Sequence, residues 1–122
     1  MMREIKFRGQ RNDNNEWVIG DLLQNYIHHN SGTTIQQGGC VFYEVKNETV
    51  GQYTGLKDKN GVEIYEGDIV KDIYNNSFTV RYNEYCSFML YPIGNEAEFM
   101  AIYPTITLIV IGNIHSNPEL LK

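Results

Sequence analysis

The chain has 122 residues, of which 42% are hydrophobic and 20% charged, and a formal net charge of −5. That length fits one domain able to hide roughly two-thirds of its unfolded surface, so no disulfide or metal staple is required for stability. Ten basic residues against fifteen acidic ones exclude the Lys/Arg excess on which non-specific binding to phosphate backbones depends, because that binding gains from counterion release.

Taken in chain order, helical periodicity is almost absent and short strand signals alternate with turn signals. Ile5-Lys6-Phe7-Arg8 alternates with period two, ends at Gly9, and is followed by a turn at Asn12-Asp13-Asn14-Asn15. Glu16 to Leu23 is the next predicted strand, with Trp17, Ile19 and Leu23 on one face; Gly20 inside it signals a bulge or a close backbone approach. Asn30-Ser31-Gly32 turns the chain into Thr33-Thr34-Ile35, Gln37-Gly38-Gly39 breaks it again, and Cys40 to Val45 is a strong strand. Asn60-Gly61 ahead of Val62-Glu63-Ile64-Tyr65 is the strongest hairpin signal, read as a type I′ turn with positive φ at both residues. Glu66-Gly67 turns into Asp68-Ile69-Val70-Lys71, and Asn75-Asn76 into Phe78 to Tyr82, with Phe78, Val80 and Tyr82 on one face. Asn83-Glu84 leads to Cys86 to Tyr91, and a short helical turn fits within Gly94 to Met100. Thr105 to Ile114 is apolar on both faces, as in a central strand covered on two sides. Pro118 opens a final helical turn.

The expected fold is therefore all-β, one domain over residues 1–122: a small sandwich or barrel of about eight short antiparallel strands with a C-terminal helical turn. The strand order after Glu66 is one that SH3-like small barrels share.

Candidate chemistry is sparse. Arg3, Lys6, Arg8 and Arg11 form a candidate basic strip, set against the plainer role of charges that discourage aggregation at an edge strand. His28 and His29 are neighbours, which a strand points to opposite faces; with His115 far along the chain and no Cys-x-x-Cys, no metal site and no cofactor are expected. Cys40 and Cys86 lie in apolar strand patterns, where a cysteine is a small inert hydrophobe rather than a nucleophile. Asp58, Glu63, Glu66 and Asp68 are close together but alternate with apolar residues, as solvent-facing strand positions do, so no catalytic pair and no enzymatic role are expected. Gly51, Gly55, Gly61 and Gly67 match no phosphate-binding pattern. Tyr26, Tyr43, Tyr53, Tyr65, Tyr74 and Tyr82 could stack bases, but the acidic balance opposes it and half-buried strand positions account for tyrosine equally well. The polar opening MMREIKFRGQ carries no signal-peptide h-region, and the longest apolar run, Leu108 to Ile111, is too short for a membrane span.

GQYTGLKDKNGVEIYEGDIVK, Gly51 to Lys71, resembles the YopX family, as do Lys6-Phe7-Arg8-Gly9 with Trp17 and Gly20, and Val110-Ile111-Gly112-Asn113-Ile114 with Asn117-Pro118-Glu119-Leu120-Leu121. These blocks stand in the family's order along the chain. One departure is Asn47, where the family has Pro ahead of Glu-Thr-Val. The resemblance implies a β-rich phage or prophage protein located in the cytoplasm of a bacterial host. It supplies no catalytic residues. The expectation is a self-associating module that binds a phage or host protein, with a nucleic-acid-binding barrel as the alternative and an uncharacterised enzyme as the third. Gln52, Tyr53, Lys57 and Asp58, beside the Asn60-Gly61 turn, are the candidate interaction surface.

Overall fold

The computed structural model describes residues 4–24, 32–84, 86–103 and 106–122. They form short antiparallel strands joined by tight turns, with no helix longer than a 3-10 turn. The chain divides into two compact units, Met1–Tyr53 and Thr54–Lys122, and strand β5 (Gly51–Lys57) runs through the division.

In the first unit the order is β4-β3-β2-β1-β5, from β1 (Phe7–Gln10), β2 (Trp17–Gln24), β3 (Thr33–Gln36) and β4 (Phe42–Glu44). The end of β1 also meets the end of β4. Arg11 bridges Val45, the Lys46 amide donates to the Gln10 carbonyl at 2.9 Å, and the Asn12 amide donates to the Glu44 carbonyl at 3.1 Å. Strands β1 to β4 therefore close on themselves around Val18, Ile35 and Val45, with Phe7, Leu22, Tyr43 and Val50 packed alongside. The buried face of β2 carries Val18 and Leu22, whereas Ile19 on the expected apolar face is exposed. Period-two alternation allows either face, and the core decides which one is used.

Gly20 does what its place in a strand predicts. A Cβ there would lie 2.1 Å from the Gln36 carbonyl oxygen, because the end of β3 comes against β2 beside the Asp21–Gln36 pair. At Asn47, where the family pattern has Pro, the chain enters a 3-10 turn (Asn47–Thr49), and the Asn47 Oδ1 accepts from the Thr33 hydroxyl at 3.1 Å. Thr49 locks that turn to β1, donating to the Lys46 carbonyl and accepting from the Gln10 amide.

In the second unit β6 (Glu63–Tyr65) lies beside β5, and a five-stranded sheet has the order β10-β9-β8-β7-β11. Its strands are β7 (Asp68–Lys71), β8 (Ser77–Tyr82), β9 (Phe88–Pro92), β10 (Met100–Ala101) and β11 (Ile109–Asn113). Ile64, Val70, Phe78, Val80, Leu90 and Leu108 form its core. The two expected helical turns are present as 3-10 turns at Glu96–Glu98 and Pro118–Leu121.

Two strand readings change. Thr105 lies outside the described residues, and β11 is an edge strand with a half-exposed Ile109 rather than a covered central strand. The apolar run is explained by Leu108 and Val110, which pack into the core, and by a bulge at Ile111. Cys40 and Cys86 precede β4 and β9 instead of lying within them, and both are exposed and free.

Three hairpin turns of this unit share one design, which also corrects the type I′ reading. In Asp58 to Val62, Asp72 to Asn76 and Asn83 to Ser87, the first amide donates to the fifth carbonyl at 2.7, 3.0 and 2.9 Å. The fourth amide donates to the first carbonyl at 3.1 Å each time. The fourth residue has positive φ: Gly61 at 83°, Asn75 at 68°, Cys86 at 60°. At Asp58 and Asp72 this is a three-residue loop, a type I turn closed by one left-handed residue. Asn60 therefore needs no positive φ, and the Asx side chain at the first position accepts the fifth amide at 2.9, 2.9 and 3.3 Å.

Two predictions follow from these contacts. Gly20→Ala should destabilise the chain by at least about 1–3 kcal/mol, since the atom it meets is backbone. Cys86→Gly should stabilise it by up to about 1 kcal/mol, because a β-carbon is strained at positive φ. Urea unfolding measures both, and opposite signs would contradict the geometry.

Candidate functional site

The expected basic strip is built into the first unit. Arg3 lies outside the described residues. The Lys6 ammonium sits 5.0 Å from the Tyr53 ring centre and 3.5 Å from Glu4. The Arg8 guanidinium lies 5.0 Å over Trp17, and that of Arg11 lies 4.5 Å over Tyr43. Arg11 also grips Asp13 with two parallel bonds, at 2.9 and 2.6 Å. These bonds hold the Asp13 carboxyl below its ordinary pKa and raise that of Arg11. Cations on and flanking β1 thus settle on aromatic rings of β5, β2 and β4, each such contact contributing about 0.5–1 kcal/mol at exposed sites. Sequence spacing put Lys6 and Arg8 on one strand face with Arg11 nearby; only the strand pairing supplies the rings.

The second candidate surface is not one exposed face. Lys57 is exposed and Gln52 half-buried, but Tyr53 and Asp58 are only 5% and 8% exposed. Asp58 is buried because its carboxylate is the joint of the second unit. Its Oδ1 accepts the amides of Asn60 at 2.8 Å and Val62 at 2.9 Å, and its Oδ2 accepts the amide of Val110, on β11, at 2.9 Å. The Lys59 amide donates to the Leu108 carbonyl beside it, at 2.8 Å. Burial pushes the Asp58 pKa up, and the amides of Val110, Val62 and Asn60 more than offset this, leaving it below the ordinary value.

The other carboxylates of this stretch also have structural partners. Asp68, 2% exposed, accepts the Tyr65 amide at 2.7 Å, and Glu63 accepts the Tyr65 hydroxyl at 3.0 Å. His28, His29 and Tyr26 lie outside the described residues. The amide of half-buried His115 donates to Asn113 in the turn after β11. Among the described residues, no group of three or more His, Cys, Asp and Glu is arranged to hold a metal ion.

A surface that sequence reasoning did not single out is the β7–β8 hairpin tip. Ile73 and Tyr74 are 71% and 78% exposed, on a turn held rigid by the Asp72 carboxylate, which accepts the amides of Tyr74 and Asn76 at 2.9 Å each. Beside it Lys59, Lys71, Thr107 and Ile109 complete a depression of about 300 Å³ with Asp72 and Ile73. The available signal was an apolar pair, Ile73-Tyr74, inside a turn where polar residues are usual. At the other end of the sheet, Arg81 stacks on Tyr91 at 4.6 Å and grips Glu96 through two bonds, while Tyr91 stacks on Phe99 at 5.2 Å.

The fold is similar to the crystal structure of protein EF1440 from Enterococcus faecalis, with a TM-score of 0.53 and 24% sequence identity over 99% of this chain and 100% of that one. No curated protein matches the chain. A family model described as YopX protein matches residues 6–122.

Asp58 generates a prediction with a defined pH sign. A depressed carboxylate contributes stability that is complete above its unfolded pKa, about 4, and is lost as pH falls through the lower folded value. Asp58→Asn should lose about 1.5–3 kcal/mol at neutral pH, since its amide group would face the Val110 donor. The gap from the parent chain should then narrow in acid. Urea unfolding at pH 7 and pH 3 measures it, and a gap equal at both would refute the role.

Proposed function

The chain belongs to the YopX family, and from that premise we propose a non-enzymatic protein-interaction module. In this reading it is made from a phage or prophage gene inside a bacterial cell, self-associates, and binds a phage or host protein. The observation that carries it is the hairpin tip Ile73-Tyr74 together with the exposed Ile109 on β11. Single exposed hydrophobes are ordinary, but large ones gathered beside a depression are a common mark of an interaction surface. The tip is also pre-ordered by Asp72 and Asn75, so little conformational freedom is lost when a partner covers it.

Two further observations favour this reading over its alternatives. The cations on and flanking β1 that a nucleic-acid site would use are stacked on the protein's own rings. The clustered carboxylates of Asp58 and Asp68 are engaged by backbone amides as turn anchors, which suits structure better than acid–base chemistry.

Light scattering over a concentration series tests the proposal. The parent chain should associate, and Tyr74→Asp should weaken association by about tenfold or more while keeping the fold, because Asp72 and Asn75 hold the turn. A strict monomer at high concentration would remove self-association from the reading.

A further inference from the structure

We propose that the depression between β7 and β11 receives the Glu98-Phe99-Met100 segment of a second copy of the chain. The inference rests on the self-association proposed above and names its two surfaces.

The depression has a defined chemistry. Lys71 on β7 and Ile109 on β11 are register partners, and Ile73 stands at its rim, 71% exposed. Lys59 is held there because its own amide is tied to Leu108. The one acid among the lining residues, Asp72, has both oxygens engaged: Oδ1 by two amides and Oδ2 by the Asn76 side chain at 3.3 Å. Two ammonium groups thus flank two exposed isoleucines. A complementary partner is short, apolar and acidic.

The chain carries such a segment at the opposite edge of the same sheet. Glu98 closes an exposed 3-10 turn, and Phe99 and Met100 follow it, 42% and 37% exposed at the start of β10. Phe99 is pre-oriented by stacking on Tyr91, and the turn is pinned by the paired bonds between Arg81 and Glu96. Glu96 is thereby engaged within its own copy, and Glu98 is the carboxylate placed to meet the lysines.

Charge also sets the orientation. Copies carrying −5 each repel one another in general, so contact is favoured where a basic patch meets an acidic one. The two surfaces differ and lie at opposite sheet edges, so the contact is head-to-tail, giving a ring where the rotation closes and a filament where it does not.

Charge exchange on the full chain tests the assignment, read by light scattering with circular dichroism as the folding control. Lys59→Glu with Lys71→Glu, and separately Glu98→Lys, should each weaken association about tenfold or more. Combining all three substitutions in one chain should restore it, as should mixing the two variants. If the parent chain associates and the lysine variants associate equally well, this pairing is overturned and self-association stands. Loss without recovery in the combined chain overturns Glu98 as the partner. A monomeric parent chain removes both readings.

Discussion

The second unit depends on one carboxylate. Asp58 spends three acceptor positions on three amides, two in its own turn and one on β11, some fifty residues later in the chain. The local pair shapes the hairpin, and the distant bond attaches that hairpin to the outer edge of the five-stranded sheet. An open sheet edge presents unpaired amides that template aggregation. Here Asp58 and the Lys59 amide occupy part of that edge, at Val110 and Leu108. A carboxylate with several backbone donors can stay ionised while buried, because the amides replace the water it has lost. This explains why an acid sits in the middle of what looks like a surface stretch.

The same device recurs where no long-range bond is required. Asp72 and Asn83 open turns of the same length and hydrogen-bond pattern as Asp58. The fourth residue pays for each turn with positive φ, cheaply at Gly61 and at a strain in Cys86. Repeating one turn type keeps β7, β8 and β9 in register, so alternation alone is enough to place Val70, Phe78, Val80 and Leu90 in one core. The first unit solves its register differently. Gly20 admits the β3 backbone at close range, and β4 returns to β1 through Val45.

The proposed interaction role rests on what the scaffold leaves uncovered. The residues that first suggest chemistry are largely engaged by the fold: the cations on and flanking β1 by aromatic rings, Asp58 and Asp68 by amides. What remains available includes apolar side chains on rigid turns and short edges, among them Ile73, Tyr74, Ile109 and Phe99. Such surfaces suit recognition of another protein, where a pre-ordered aromatic or aliphatic anchor contributes most.

Short motifs were enough to read the family, and period-two alternation with the backbone preferences of Gly, Asn, Asp and Pro was enough to read the all-β class, most turn positions and the close approach at Gly20. Those are local properties, readable over a few residues. Tertiary structure alone decided which face of β2 is buried, that β11 is an edge, that the cysteines stand outside their strands, and that Tyr53 and Asp58 are interior. Each of these depends on a partner distant in the chain: Ile35 and Val45 packed beside Val18, β7 pairing with β11, and Val110 donating to Asp58. An exposed acid and a buried acid read alike in sequence, since the difference between them is the geometry of donors that local pattern does not contain.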